Sequence, residues 1–183
     1  MFFPEPEQAD DPYPLSLSLG NWERLQHKFP GHIDALLLKD MYENFDMIGA
    51  YQDNINTIIP ESLCHGDYHP ENILKDGDKL IICDWQNVGT GKGINDVAFF
   101  ISRGADMGLK INRDKLIEWY SEALLKYADI KVDVNDFYGS IAAFEFGISF
   151  QFWAGYLQDS SIERVLNIYN PMVSSYNLLR NNI

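Results

Sequence analysis

The stretch Leu63-Cys64-His65-Gly66-Asp67-Tyr68-His69-Pro70-Glu71-Asn72, followed after a short gap by Ile81-Ile82-Cys83-Asp84-Trp85-Gln86, carries the densest chemical pattern in this chain. Asp67 stands five positions before Asn72, and Asp84 stands twelve after it. A carboxylate in a Gly-Asp-Tyr-His turn can accept a proton from a hydroxyl and orient its oxygen for in-line attack. Asn72 offers a neutral oxygen and Asp84 an anionic one, a pair suited to magnesium beside a nucleoside triphosphate. Between them, Ile73-Leu74-Lys75, Asp76-Gly77-Asp78 and Lys79 to Cys83 predict a tight β-hairpin, because Asp-Gly supplies the positive φ of such a turn. The hairpin should bring Asn72 and Asp84 close in space.

Outward from this core the texture is helical. Residues 20–29 and 32–52 are expected to form helices separated by Pro30-Gly31, the second with Leu36, Leu37, Leu38, Met41, Phe45 and Ile48 as its stripe. Residues 1–20, with four prolines and no basic residue, read as an acidic Pro-rich leader. Asn87 to Asn95, holding Gly89, Gly91 and Gly93, reads as a loop, and Asp96 to Ser102 returns to helix. Further helices are expected over Arg113–Tyr127, from about Asp136 to Leu157, and after a cap at Ser160 or Ser161 with a kink at Pro171. The expected fold is mainly α with one small β-hairpin.

Composition narrows the class. Hydrophobic residues at 46% support a substantial core, and no apolar run approaches the ~18 residues that span a bilayer. A net charge of −13 argues against nucleic acid and anionic membrane as partners and is compatible with a cationic substrate. Cys64 and Cys83 form neither a zinc spacing nor a disulfide framework, which suits a reducing cytoplasm. Both read as small packing residues, and His27 and His32 as surface residues.

The string His65-Gly66-Asp67-x-His69-x-x-Asn72, then Asp84-Trp85, then Gly91-x-Gly93-x-x-Asp96-x-Ala98 resembles the aminoglycoside phosphotransferase and choline kinase group of small-molecule kinases. The resemblance covers about residues 60–102. It implies Asp67 as catalytic base, Asn72 and Asp84 as magnesium ligands beside ATP, and His65 and Asp96 as structural supports of the catalytic loop. Asp84-Trp85-Gln86 in place of the protein-kinase Asp-Phe-Gly points to a small-molecule hydroxyl substrate.

Kinases of this architecture also carry an N-terminal lobe with a glycine-rich loop and a phosphate-pairing lysine. Before Asp67 no such pattern is present, and Lys28 and Lys39 fall in helical segments. The resemblance therefore implies a protein-kinase-like C-terminal lobe (α+β) with the N-terminal lobe absent. Residues 21–183 would form it, with catalytic and metal loops at 63–98 and a helical substrate side at 103–183. Little turnover is expected from the isolated chain, and self-association through the surface of the missing lobe is open to it. A degenerate kinase-like binding module without catalysis is the alternative. The aromatic run from Tyr138 to Tyr156 reads mainly as core, while Glu145 within it must be paired or pocket-facing and is the candidate substrate contact.

Overall fold

The computed structural model describes residues 14–181. The expected leader falls largely outside these residues, but its boundary moves. Helix α1 spans Leu15–Lys28, five residues ahead of the expected start at residue 20, and buries Ser18, Trp22 and Leu25 at helical spacing. The helix expected over 32–52 is two helices, α2 (Ala35–Glu43) and α3 (Phe45–Ile58). Asp34 caps α2 by accepting from the N–H groups of Leu36 and Leu37. The break falls at Asn44, whose Nδ2 donates to the Asp40 carbonyl and to the Tyr176 hydroxyl. An apolar stripe continuous in sequence is thus divided by one side chain that bonds elsewhere. Leu36, counted in that stripe, is exposed.

Strand β1 (Glu61–Cys64) follows, then the hairpin of β2 (Ile73–Asp76) and β3 (Lys79–Ile82). The hairpin pairs Ile73 with Ile82 and Asp76 with Lys79, leaving Gly77 and Asp78 as its two-residue turn; Gly77 has φ +57°. The glycine segment expected to be a loop contains β4 (Gly89–Lys92), antiparallel to β1 and pairing Cys64 with Gly89. Two of the segment's glycines serve close packing: a Cβ would fall 3.3 Å from Cys64 Sγ at Gly91 and 2.6 Å from Ser62 Oγ at Gly93, the first residue of the next helix.

Helix α4 (Gly93–Asp106) leaves this small sheet, and α5 (Arg113–Ala128) packs beside it. Helix α6 (Val134–Ile148) is apolar on nearly every face and lies between α3, α4 and α8 (Ile162–Arg180). It takes part in both hydrophobic clusters. One gathers Trp22, Leu25, Phe146, Phe150 and Tyr176; the other gathers Ile55, Ile94, Ile117, Phe137 and Ile141. From α6 the chain runs through a π-helical turn at Ser149–Trp153 into the short α7 (Ala154–Tyr156). Such a turn inserts an extra residue and re-aims the side chains after it. Among the described residues no helix is long and apolar enough to cross a membrane. His27 and His32 are exposed, and both cysteines are free.

Candidate active site

β1 delivers the chain into His65-Gly66-Asp67, and α4 holds that turn from below. The Asp96 carboxylate, in the first turn of α4, accepts from the backbone N–H of His65 at 2.7 Å and of Gly66 at 3.0 Å. Gly66 has φ +80°, and a Cβ there would stand 2.4 Å from the Asn87 carbonyl oxygen, so position and conformation both require glycine. The His65 ring is 4% exposed. Its Nδ1 accepts from the Asp67 N–H at 3.2 Å, so Nε2 carries the proton and donates to the Cys83 carbonyl at 2.8 Å. That neutral ring ties the loop before Asp67 to the end of β3. The Trp85 ring packs on it at 4.7 Å between centroids.

Asp67 and Asn72 meet at the hairpin's open end, where Asp84 follows β3 in the chain. Asn72 Nδ2 donates to the Asp67 carbonyl at 2.9 Å and approaches Asp67 Oδ2 at 3.3 Å. Both contacts use the amide nitrogen, leaving the amide oxygen available. The Cys83 N–H donates to the Asn72 carbonyl at 2.9 Å, which places Asp84 one residue beyond the position facing Asn72. Asp84 itself is left-handed, at φ 62° and ψ 58°, a conformation rare outside glycine and concentrated at functional turns. Its carboxylate has no hydrogen bond or ion pair among the described residues.

One amide oxygen and one unpaired carboxylate form a hard-oxygen donor pair that fits magnesium. Among the described residues no group of three or more His, Cys, Asp or Glu side chains is poised for a metal. An ion here would complete its shell with phosphate and water oxygens, the usual habit of magnesium.

On its other side Asp67 opens into a cavity of about 540 Å³ that neither Asn72 nor Asp84 touches. His69, Phe99, Arg103, Phe152, Trp153, Tyr156 and Arg164 line it. His69 stands between two carboxylates, with Nε2 3.6 Å from Asp67 Oδ1 and Nδ1 3.6 Å from Glu71 Oε2. Both are ion-pair rather than hydrogen-bond separations, and buried Nδ1 has no hydrogen-bond partner. Phe146 and Phe150, before and within the π-helical turn, are core; Phe152, Trp153 and Tyr156 reach the cavity.

Glu145 does not reach it. It lines a separate pocket of about 140 Å³ with Arg113, and it accepts from Ser175 Oγ at 2.8 Å. Arg113 Nη2 stands 3.1 Å away, an ion pair by distance but not aligned as a hydrogen bond. Burial raises the Glu145 pKa above the ordinary carboxylate value, with Arg113 and Ser175 opposing the rise. The sequence requirement that this carboxylate be paired or pocket-facing is met on both counts: its partners come from 32 residues upstream and 30 downstream, and it lines this small pocket. Burial likewise raises the Cys64 thiol, the opposite of what a reactive cysteine needs. The residues missed by sequence reasoning are His69, Arg103, Asp106 and Arg164. Of these only His69 lay inside a motif.

Lys28 and Lys39, and Lys92 at the end of β4, have partners of their own. Lys28 Nζ donates to the Gln158 carbonyl, Lys39 pairs with Glu43, and Lys92 Nζ donates to the Ile59 carbonyl.

The sequence matches the family model described as "Phosphotransferase enzyme family" over residues 4–128. No curated protein matches the chain. Similar solved structures include an ethanolamine kinase from Plasmodium vivax (16% identity, TM-score 0.49, 97% of this chain and 53% of that one). A choline/ethanolamine kinase family protein from Mesorhizobium loti matches at 14% identity and TM-score 0.49, over 95% of this chain and 57% of that one. A choline kinase from Cryptosporidium parvum matches at 10% identity and TM-score 0.51, over 96% and 61%. At such identity the last is a likeness of fold. The chain spans only 53–61% of the length of these structures.

Proposed function

Because this chain belongs to the phosphotransferase enzyme family, we propose that it is the catalytic-loop-bearing lobe of an ATP-dependent small-molecule kinase that phosphorylates a hydroxyl. The observation that supports this reading is the contact of Asn72 with Asp67 at the end of the hairpin where Asp84 follows β3, with a substrate-sized cavity beside Asp67. Asp67 accepts the hydroxyl proton and orients the oxygen toward the phosphoryl group. Asn72 donates to Asp67 through nitrogen and would face magnesium through oxygen, so one amide fixes the base and the metal edge together. Asp84 would supply the anionic ligand. Magnesium bound there neutralises charge on the phosphates. His65 and Asp96 act by holding the loop, with no contact to reacting atoms.

These 183 residues by themselves should turn over slowly. Lys28, Lys39 and Lys92 are committed to other partners, and the clamp on the nucleotide needs a cation at the phosphates. The exposed apolar side chains Leu63, Leu74, Leu80 and Trp85 on and beside the strands offer a surface for self-association. Calorimetry with Mg-ATP tests the central claim. Binding that requires magnesium and is lost in Asp84→Ala is expected. Binding of equal strength without magnesium, or unchanged in that variant, refutes it. Failure of any nucleotide to bind would favour the alternative of a binding module without catalysis. Sedimentation at high concentration tests self-association, and a strictly monomeric profile refutes it.

A further inference from the structure

The walls of the cavity beside Asp67 present guanidinium groups while the carboxylates that hold them stand behind. Arg103 and Arg164 both line the cavity; Asp106, their shared partner, does not. The Asp106 side chain is 6% exposed. Its Oδ1 accepts from Arg164 Nε at 2.7 Å, and its Oδ2 accepts from Arg164 Nη2 at 3.0 Å and Arg103 Nη1 at 3.3 Å. One carboxylate therefore orients two cations, one from α4 and one from α8. Glu71 accepts from Arg103 Nη2 at 2.6 Å but lies 54% exposed, where solvent screens its charge. The Arg103 guanidinium is fixed further by the Trp153 ring, 5.3 Å from its centre. Arg103 Nε and Arg164 Nη1 have no hydrogen-bond partner among the described residues.

Two planar forks held in place, with donors to spare, match an oxyanion, and their rigidity reduces the ordering cost of binding one. We propose that the hydroxyl substrate carries an anionic group, which sits against Arg103 and Arg164 while an apolar or flat midsection packs on Trp153 and Tyr156 and the hydroxyl reaches Asp67. The chain's net charge of −13 does not decide this, because charges beyond about a Debye length of the cavity are screened. The proposal rests on the phosphotransferase reading for the role of the hydroxyl; anion recognition itself stands on the cavity alone.

Four matched probes separate the possibilities on the full chain without nucleotide, by ligand-observed NMR titration. They are 4-(hydroxymethyl)benzoate, its phosphonate counterpart, 4-methylbenzyl alcohol and 4-(aminomethyl)benzyl alcohol. An anionic probe should bind about tenfold more tightly than the ammonium one. The better of the two anions identifies the oxyanion class. Arg164→Gln should abolish that preference, and Arg164→Lys, which keeps charge without the fork, should retain it in reduced form. Arg164 lies partly exposed in the first turn of α8, and circular dichroism of each variant checks folding. Equal or tighter binding of the ammonium probe, no anionic binding at millimolar concentration, or a preference unchanged in both variants would overturn the proposal. Loss of Mg-ATP binding with the anion preference intact would instead count against the kinase reading alone.

Discussion

Replacing Asp96 by alanine should release the His65–Asp67 turn without dismantling the helical body. Its carboxylate receives two backbone donors, from His65 at 2.7 Å and Gly66 at 3.0 Å. A hydrogen bond to a charged group contributes about 1.5–3 kcal/mol, and a buried donor left alone also loses its solvation. The two donors differ. His65 is buried, so its orphaned N–H falls at the upper end, about 3 kcal/mol; Gly66 is exposed, so water replaces the lost acceptor at about 1 kcal/mol. Loss of an acidic residue from the first turn of α4 adds about 0.5 kcal/mol. The total is about 4.5 kcal/mol, equivalent to roughly a two-thousandfold change in an opening equilibrium. Amide hydrogen exchange at His65, Gly66 and Asp67 reads this locally, and urea denaturation reads the global share. Asp96→Asn keeps one acceptor oxygen and should lose about half as much. Exchange in Asp96→Ala accelerated less than about tenfold, with the urea midpoint unmoved, would refute the assignment of Asp96 as the loop's anchor.

Gly66→Ala should cost about 3 kcal/mol, combining a left-handed backbone with a Cβ 2.4 Å from the Asn87 oxygen; an unchanged urea midpoint would contradict it. Arg113→Met should strand buried Glu145. Burial already raises that carboxylate's pKa, so the folded chain holds the proton more tightly, and the cost of ionisation is absent at acid pH and grows as pH rises through the raised value. The variant should lose about 3 kcal/mol at neutral pH and much less near the ordinary carboxylate range, and equal losses in urea at both pH values would be the contrary result. The Tyr176 hydroxyl donates to Asp40, and burial with that carboxylate pushes its pKa up to about 12. Its stabilisation is complete below the ordinary tyrosine value and is lost as pH rises through the folded one, so Tyr176→Phe should cost about 1.5 kcal/mol at neutral pH and remove a late step from the tyrosinate absorbance titration. A titration identical to that of the parent chain would rule this out.

Legibility in the sequence followed distance along the chain. The hairpin was readable because Asp-Gly dictates a two-residue turn locally, and the convergence of Asn72 with Asp84 follows from pairing across so short a connection. β4 was not readable, because three glycines in one segment mimic a loop, while Gly91 and Gly93 pack closely against Cys64 and Ser62 across 27 or more residues. The break at Asn44 depends on Tyr176, 132 residues away. Glu145 announced that it needed a partner, since a bare carboxylate cannot remain ionised in an apolar helix. That Arg113 and Ser175 are its partners was invisible until α6 was packed.

The sequence by itself determined the donor chemistry: a carboxylate, an amide and a second carboxylate at spacings that a turn and a hairpin convert into one cluster. Those spacings are local, and local geometry is set by φ, ψ and turn residues that are written in the chain. Only the tertiary structure decided what shares the cavity with Asp67. Arg103 and Arg164 lie 61 residues apart on α4 and α8, and they meet because both helices pack on or beside α6 and share one buried aspartate. No period or motif records such a meeting, because it is a property of how apolar faces fit together and not of any segment alone.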